Sequence, residues 1–334
     1  MKVIISENVV TAVAGTGNAT KLHRLLAFAS QGRHTIILDP PSCLDAWLAS
    51  IDEGSRGDYQ KAIDLSARDA AVLASDAGTV RIDQAATEVW ADPEATLPLD
   101  FALRVLDEKL SFLVEDSGAD WNFLQGILPK SQRERLQHYV AQGWAGPVHC
   151  GGSGIMARLE ERFGKAHEGL RTALMFDNDR LHPNELEESW QPKDSGIKNH
   201  ECNAFKWEQF AKENLPRRYW RLRRRFIESY MPKSELKTAI AADKNSTFDA
   251  FWRLPPESRW HYNMKLGLAK DKPHQARQID LYSAIDADDK EALQPGFGTK
   301  LAKHYKHALQ REFDWDEAAR EEVKTNLVPL MRLL

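Results

Sequence analysis

The chain is short of cysteine. Its 334 residues hold three, Cys43, Cys150 and Cys202, and no C-x-x-C pair. That excludes a disulfide framework and a cysteine-rich zinc site, and makes a reducing cytoplasm the expected setting. Eleven histidines are present, but none forms an H-x-x-x-H or H-E-x-x-H pair, so zinc hydrolysis has no anchor. No apolar run approaches the roughly 18–20 residues that a membrane span needs. The opening MKVIISENVV is broken by Glu7 and is followed by no cleavage site, so it reads as a first strand, not a leader. Charge of one sign is not in excess either: 45 Lys+Arg stand against 49 Asp+Glu, a net charge of −4. A polycationic tail protein is excluded, and a local basic patch is not. There is no Walker motif. AGTGNATK at 14–21 lacks the phosphate-loop spacing, so any ATPase or sensor would be a separate partner chain.

What is present describes a folded globular chain, with 42% hydrophobic and 28% charged residues. The length suits two domains of about 100–200 residues. Strand and helix patterns alternate, which predicts an α/β fold. Strands are expected at 2–10, 34–39 and 79–83, with helices at 19–31, 41–51 and 58–75 between them. The stretch DPEATLPLD at 92–100 carries two prolines and reads as a domain boundary. The rhythm resumes with a helix at 101–109, strands at 111–115, 147–150 and 171–176, and helices at 119–128, 131–142 and 203–214. In the helix after Gly154, Ile155, Leu159 and Phe163 fall on one face. Helices alone are expected beyond Pro232. The predicted organisation is a small α/β domain at 1–95, a parallel-sheet domain at 105–232 and a helical C-terminal extension at 233–334, with no internal repeat.

Two patterns carry chemistry. Acids close the buried strands of the second half: Glu115 ends SFLVE, and Asp177 and Asp179 follow RTALMF. Ligands of open α/β sheets bind at that edge, and carboxylates there suit a hard cation such as Mg²⁺. Between Arg217 and Arg225, six of nine residues are arginine: Arg217, Arg218, Arg221, Arg223, Arg224 and Arg225. Tyr219 and Trp220 are interleaved. The arginine fork matches phosphate and the rings can stack on bases, so the run is a candidate nucleic-acid contact. Pairing with the acidic run Glu185–Glu188 is the structural alternative. A smaller basic stretch, Lys300–His307, reads as a helix surface. HCGGSG at 149–154 joins a strand to a helix without the G-x-S-x-G spacing, which favours a tight or phosphate-approach turn over a nucleophile elbow.

In this order the motifs resemble the TOPRIM domain of topoisomerases, DnaG-type primases and OLD-type nucleases, the last being the nearest match. FLVED holds Glu115, VHCGGSG forms the Gly-rich turn, and LMFDND holds Asp177 and Asp179. Arg224–Tyr230 (RRFIESY) is similar to a later segment of the OLD-type enzymes. Asp116 stands where the family usually has glycine. The next acid, Asp120, comes five residues after Glu115 where the family often has one at four. The resemblance covers about residues 111–232. It implies a Mg²⁺- or Mn²⁺-dependent nuclease acting on DNA or RNA, in a prokaryotic antiviral defence system. Glu115, Asp177 and Asp179 would be metal ligands and Glu228 a further catalytic carboxylate. The alternative is an inactive nucleic-acid-binding or assembly subunit of such a system. The N-terminal part weakly resembles a PIN-like nuclease domain, with Glu7, Asp45, Asp69 and Asp83 as its acids, and is expected to be degenerate.

Overall fold

In the computed structural model of the chain, the described residues are 1–13, 19–49, 51–72, 78–84, 86–91, 94–195 and 202–334. The phosphate-loop-like stretch at 14–21 lies largely outside them. The fold is α/β, with two parallel four-stranded sheets and a helical C-terminal region.

The first sheet has the order β2-β1-β3-β4, from β1 (Lys2–Ser6), β2 (Thr35–Asp39), β3 (Thr79–Ile82) and β4 (Glu94–Leu97). Helices α1 (Glu7–Val13), α2 (Ala19–Ser30), α3 (Cys43–Ala49) and α4 (Glu53–Val72) connect its first strands. Two expectations change here. The first strand stops at Ser6, because Glu7 opens a helix that buries Val9, Val10 and Val13. The predicted boundary at 92–100 contains a strand: Ala95 and Leu97 point into the core, and β4 pairs with β3. The helix that follows, α5 (Leu99–Asp107), buries Leu99, Ala102, Leu103, Val105 and Leu106 in this first core. The first domain therefore runs to Asp107. Pro98 directly follows a four-residue edge strand, a position where a missing N–H is tolerated.

The second sheet repeats that order as β6-β5-β7-β8, from β5 (Leu110–Val114), β6 (Ala145–His149), β7 (Thr172–Phe176) and β8 (Tyr219–Arg221), all parallel. Every residue of β5 and β7 is buried, as expected for central strands covered on both faces. One face carries Leu113, Leu174 and Phe176. It packs on α8 (Ile155–Phe163) and α10 (Asn203–Asn214). The short α9 (Ala166–Leu170) leads into β7. The other face carries Phe112, Val114, Ala173 and Met175. It is covered by α6 (Ala119–Ile127), α7 (Lys130–Ala141) and the C-terminal segments.

The C-terminal region is thus no appendage. Tyr305, Trp315, Val323 and Leu327 share one core with Phe112 and Phe123. Phe123 meets the rings of Trp220, Tyr230, Tyr305 and Trp315 at 5.1–6.1 Å between centroids. The expected extension at 233–334 is the second wall of the second domain.

The N-terminal domain meets the second sheet at the edge where its strands begin. Tyr139 Oη donates to the Gly32 carbonyl at 2.9 Å, and Arg33 Nη2 to that of Asp107 at 2.6 Å. The opposite edge, where β5, β6 and β7 end, is left for chemistry.

Candidate active site

Glu115 follows the last residue of β5, and Asp177 follows the last residue of β7. The two strands are hydrogen-bonded neighbours. Asp177 is fixed by the N–H of Ile227, which donates to its Oδ1 at 3.0 Å. Asn178 reaches back, and its Nδ2 donates to the carbonyls of Leu222 and Arg223 at 3.0 and 2.8 Å. Asp179 takes a left-handed φ of 55°, the single non-glycine residue to do so among the described residues. Such a conformation costs energy for a residue with a Cβ and clusters at functional turns. Asp179 keeps part of its surface open at the rim of the site while its carboxyl is crowded by neighbouring atoms; Glu228, 1% exposed, forms the floor.

The charges converge. Burial pushes the Glu115 carboxyl up to about 8, with Asp179, Asp120 and Glu228 adding repulsion. Burial likewise raises Asp120 to about 6, with Asp116 and Glu228 repelling it. Asp177 is raised well above the carboxylate range, first by burial and then by Glu115, Asp120 and Glu228 against the pull of Lys265. Asp179 is raised by burial, although Arg225 and Lys265 oppose it. Acids that raise one another's pKa in one cleft are a mark of functional sites.

Two of these groups add to the predicted set. Asp120 sits in the first turn of α6, and its Oδ2 accepts from the Asp116 N–H at 2.9 Å. Its offset spacing in the sequence does not keep it out of the cluster, because the first turn of α6 folds back over the β5 end. Lys265 is the second addition. Its Nζ lies 3.3 Å from Glu228 Oε1 and over the Phe226 ring at 4.8 Å. Burial alone would lower its pKa, but Glu228 and Asp177 outweigh that and hold it above the usual value. No local motif marks it. It is set by a tight backbone crossing two residues on, where Gly267 has φ +68 and a Cβ would fall 2.1 Å from the Gln294 carbonyl oxygen.

The Gly-rich turn forms one wall. The Gly151 N–H donates to the Glu115 carbonyl at 3.0 Å, and a Cβ on Gly152 would stand 3.5 Å from Glu115 Oε2. The Ser117 N–H donates to His149 Nδ1 at 3.3 Å, tying the ends of β5 and β6 together. Burial pushes the Cys150 thiol up to about 11, so it offers no thiolate nucleophile.

Do these residues fit a divalent cation? The donor chemistry is right: hard carboxylate oxygens, and a buried Glu228 Oε2 with no hydrogen-bond partner. As they stand, no group of three or more His, Cys, Asp or Glu among the described residues is set to hold a metal ion. Mg²⁺ commonly takes one or two carboxylates and keeps its waters, so charge and open ligand sites are what the cleft supplies.

The arginine run needs correction as a single surface track. Arg218, Arg224 and Arg225 are buried. Arg218 Nη1 donates to the Gly169 carbonyl at 2.7 Å. Arg224 pairs with Asp316 at 2.5 Å and lies against the Tyr230 ring. Arg225 holds Asp271 with two bonds of 2.5 and 2.9 Å. They have a structural role: Arg218 stands just before β8 on its buried side, and Arg224 and Arg225, in the bend beyond β8, are drawn inward by Asp316 and Asp271. Arg217 and Arg223 are exposed, and Arg221 is half-buried with Nη1 2.6 Å from Glu208 Oε1. Of the acidic run at 185–188, Glu185 binds Arg277.

In the first sheet, Glu7 and Asp83 also follow adjacent strands, but Asp83 Oδ1 accepts from Asn8 Nδ2 at 2.6 Å, and Asp45 and Asp69 are exposed on helices.

No family model, no curated protein and no solved structure matches the chain. Among the described residues, no helix is long and apolar enough to cross a membrane.

Proposed function

We propose that the chain is a Mg²⁺- or Mn²⁺-dependent nuclease that cleaves phosphodiester bonds of DNA or RNA at the Glu115–Asp120–Asp177–Asp179–Glu228 cluster. The observation that carries this reading is the convergence of these five carboxyls at the C-terminal edge of the second sheet, where burial raises Glu115, Asp120, Asp177 and Asp179. Such a site is short of positive charge, and a cation with a phosphate in tow would relieve it. The TOPRIM resemblance supports the same chemistry. The cytoplasmic setting and the antiviral role rest on sequence composition and on that resemblance respectively.

A bound Mg²⁺ or Mn²⁺ supplies Lewis acidity at a phosphoryl oxygen and a water of lowered pKa. The chain supplies the rest. Asp177 and Asp179 present oxygens from one turn held by Asn178. Glu115, raised to about 8 in the metal-free cleft, would give up its proton in the field of a bound cation and could then serve as a ligand or as the general base for an attacking water. Lys265 stays cationic and is positioned to face phosphate oxygens as a point charge.

The alternative, an inactive binding subunit, draws support from one feature. The Lys265 ammonium already sits on Glu228, where a cation would otherwise be needed. The experiment that separates them incubates the purified chain with plasmid, single-stranded DNA and tRNA, in Mg²⁺, Mn²⁺ or EDTA. Cleavage that needs metal and is lost in Asp177→Ala supports the nuclease. Metal-independent binding with no cleavage of any substrate supports the alternative.

A further inference from the structure

Burial alternates over 217–224 and sorts most of the arginine run into two rows, with Arg225 buried out of turn beyond the end of β8. Arg218, Trp220, Leu222 and Arg224 face inward and are buried. Arg217, Tyr219, Arg221 and Arg223 form the outward row. β8 is the edge strand of its sheet, and this row stands on the face that carries α10, where Tyr219 lies against Phe176 and Arg221 reaches Glu208. Two cavities lie along it, of about 560 and 520 Å³. They share Leu186, Arg221, Thr325 and Asn326, and so form one groove. Arg223 and Trp260 line one end, Arg217 and Tyr219 the other. The Arg223 guanidinium lies over the Trp260 ring at 4.9 Å. Neither Arg217 nor Arg223 has a carboxylate partner among the described residues.

The groove leads to the acids. Arg223 stands at the strand's C-terminal end, and its carbonyl is bound by Asn178 of the Asp-Asn-Asp turn. His261, beside Trp260, contacts the Arg180 carbonyl through Nδ1 at 3.2 Å. From Arg223, four residues of chain reach Ile227, which holds Asp177.

We propose that this groove binds a single strand of nucleic acid and feeds it to the acidic cluster. The proposal rests on the nuclease reading for its direction, but not for binding itself. Unpaired guanidiniums beside aromatic faces are the usual means of holding a strand whose bases are free to stack. Each cavity has the size of a small-molecule pocket, room for a base or two and not for a double helix. The rim carboxylates Glu187, Glu188 and Glu257 add to the discrimination. Their charge opposes the two phosphate backbones of a duplex more than the one of a single strand, and their oxygens remain available to accept from base amino groups.

The test is binding in EDTA, by fluorescence anisotropy of a labelled oligonucleotide and of its duplex. The single strand should bind at least tenfold more tightly than the duplex. Each phosphate contact to a single strand contributes about 0.7 to the salt slope, so Arg217→Gln with Arg223→Gln should flatten it by about 1.4. Trp260→Ala should weaken binding roughly tenfold to a hundredfold, and Trp260→Phe, which keeps a stacking face, should recover most of it. Equal affinity for duplex, or an unchanged salt slope in the exposed arginine double variant, overturns the groove. Metal-dependent cleavage that survives with unchanged binding in those variants would refute the groove and leave the nuclease reading standing. Selective single-strand binding with no cleavage in any metal would do the reverse.

Discussion

Replacing Glu115 with glutamine should stabilise the metal-free protein at high pH. The carboxyl is raised from 4.5 to about 8 by burial and by Asp179, Asp120 and Glu228. In the unfolded chain it ionises near its ordinary value. Between those two pH values the folded state holds a proton that the unfolded state has released. The unfolded state therefore binds fewer protons, and stability falls as pH rises through that window. One pKa unit corresponds to about 1.4 kcal/mol, so the full displacement would be worth about 5 kcal/mol for an isolated group. Glu115 is part-exposed and shares its repulsion with three other acids, so the share that one glutamine relieves is about 2 kcal/mol. For a domain of this size that corresponds to a melting temperature higher by about 4–8 °C. The assay is a thermal melt of wild type and Glu115→Gln in EDTA across pH 4.5 to 9. The gap should be widest near pH 9 and close toward pH 4.5. Added Mg²⁺ should raise the wild-type melt at pH 9 more than that of the variant, since a ligand of the folded state stabilises it by mass action. A variant that melts no higher than wild type at pH 9 would refute the idea that Glu115 is held under repulsion.

Four further outcomes follow from named contacts. Asp177→Ala and Glu115→Ala should abolish metal-dependent cleavage while both variants keep a cooperative melt, and isothermal titration should show weaker Mn²⁺ binding in Asp179→Ala. Glu228→Gln keeps the shape of the floor but loosens Lys265, so cleavage per folded molecule should drop strongly; full activity would confine the acidic site to the other carboxyls. Arg225→Gln leaves Asp271, 3% exposed, without its bidentate partner, and should cost about 3–5 kcal/mol in denaturant unfolding, whereas Arg217→Gln at the surface should leave stability unchanged. Gly126→Ala would set a Cβ 2.4 Å from that of Ala308, where α6 packs on the 3-10 segment Leu301–Leu309, so chemical denaturation should read a loss of about 1–3 kcal/mol.

Much of the fold was legible along the chain, because strand and helix periods are local properties. The runs HTIILD, SFLVE and RTALMF stand out as buried β-branched or aliphatic stretches, and each coincides with a strand to within one residue at its ends. The helix predicted at 203–214 is the observed α10. Glu115, Asp177 and Asp179 were legible for the same reason: the end of a strand is a sequence position, and in a parallel sheet it is also a place in space. Pro98 misled, since it directly follows β4 and a short edge strand tolerates it there.

What the tertiary structure alone decided is which residues share a charge environment and which share a face. Asp120 joins the cluster because a helix folds back over a strand end, and Lys265 because a distant loop is pinned at Gly267 against the backbone of 294–296. Neither placement has a local signal, since electrostatic contact depends on distance in space. The arginine run shows both sides of this. Its composition announces phosphate affinity, but composition has no direction. Pairing of β8 with β7 and the carboxylates of Asp316 and Asp271 give it one, turning Arg218, Arg224 and Arg225 into buried ties and leaving Arg217, Arg221 and Arg223 to face the groove. The C-terminal helices likewise read as an extension, because amphipathic periods name a face but not its partner. Burial against Phe112 and Phe123 makes them a wall of the second core.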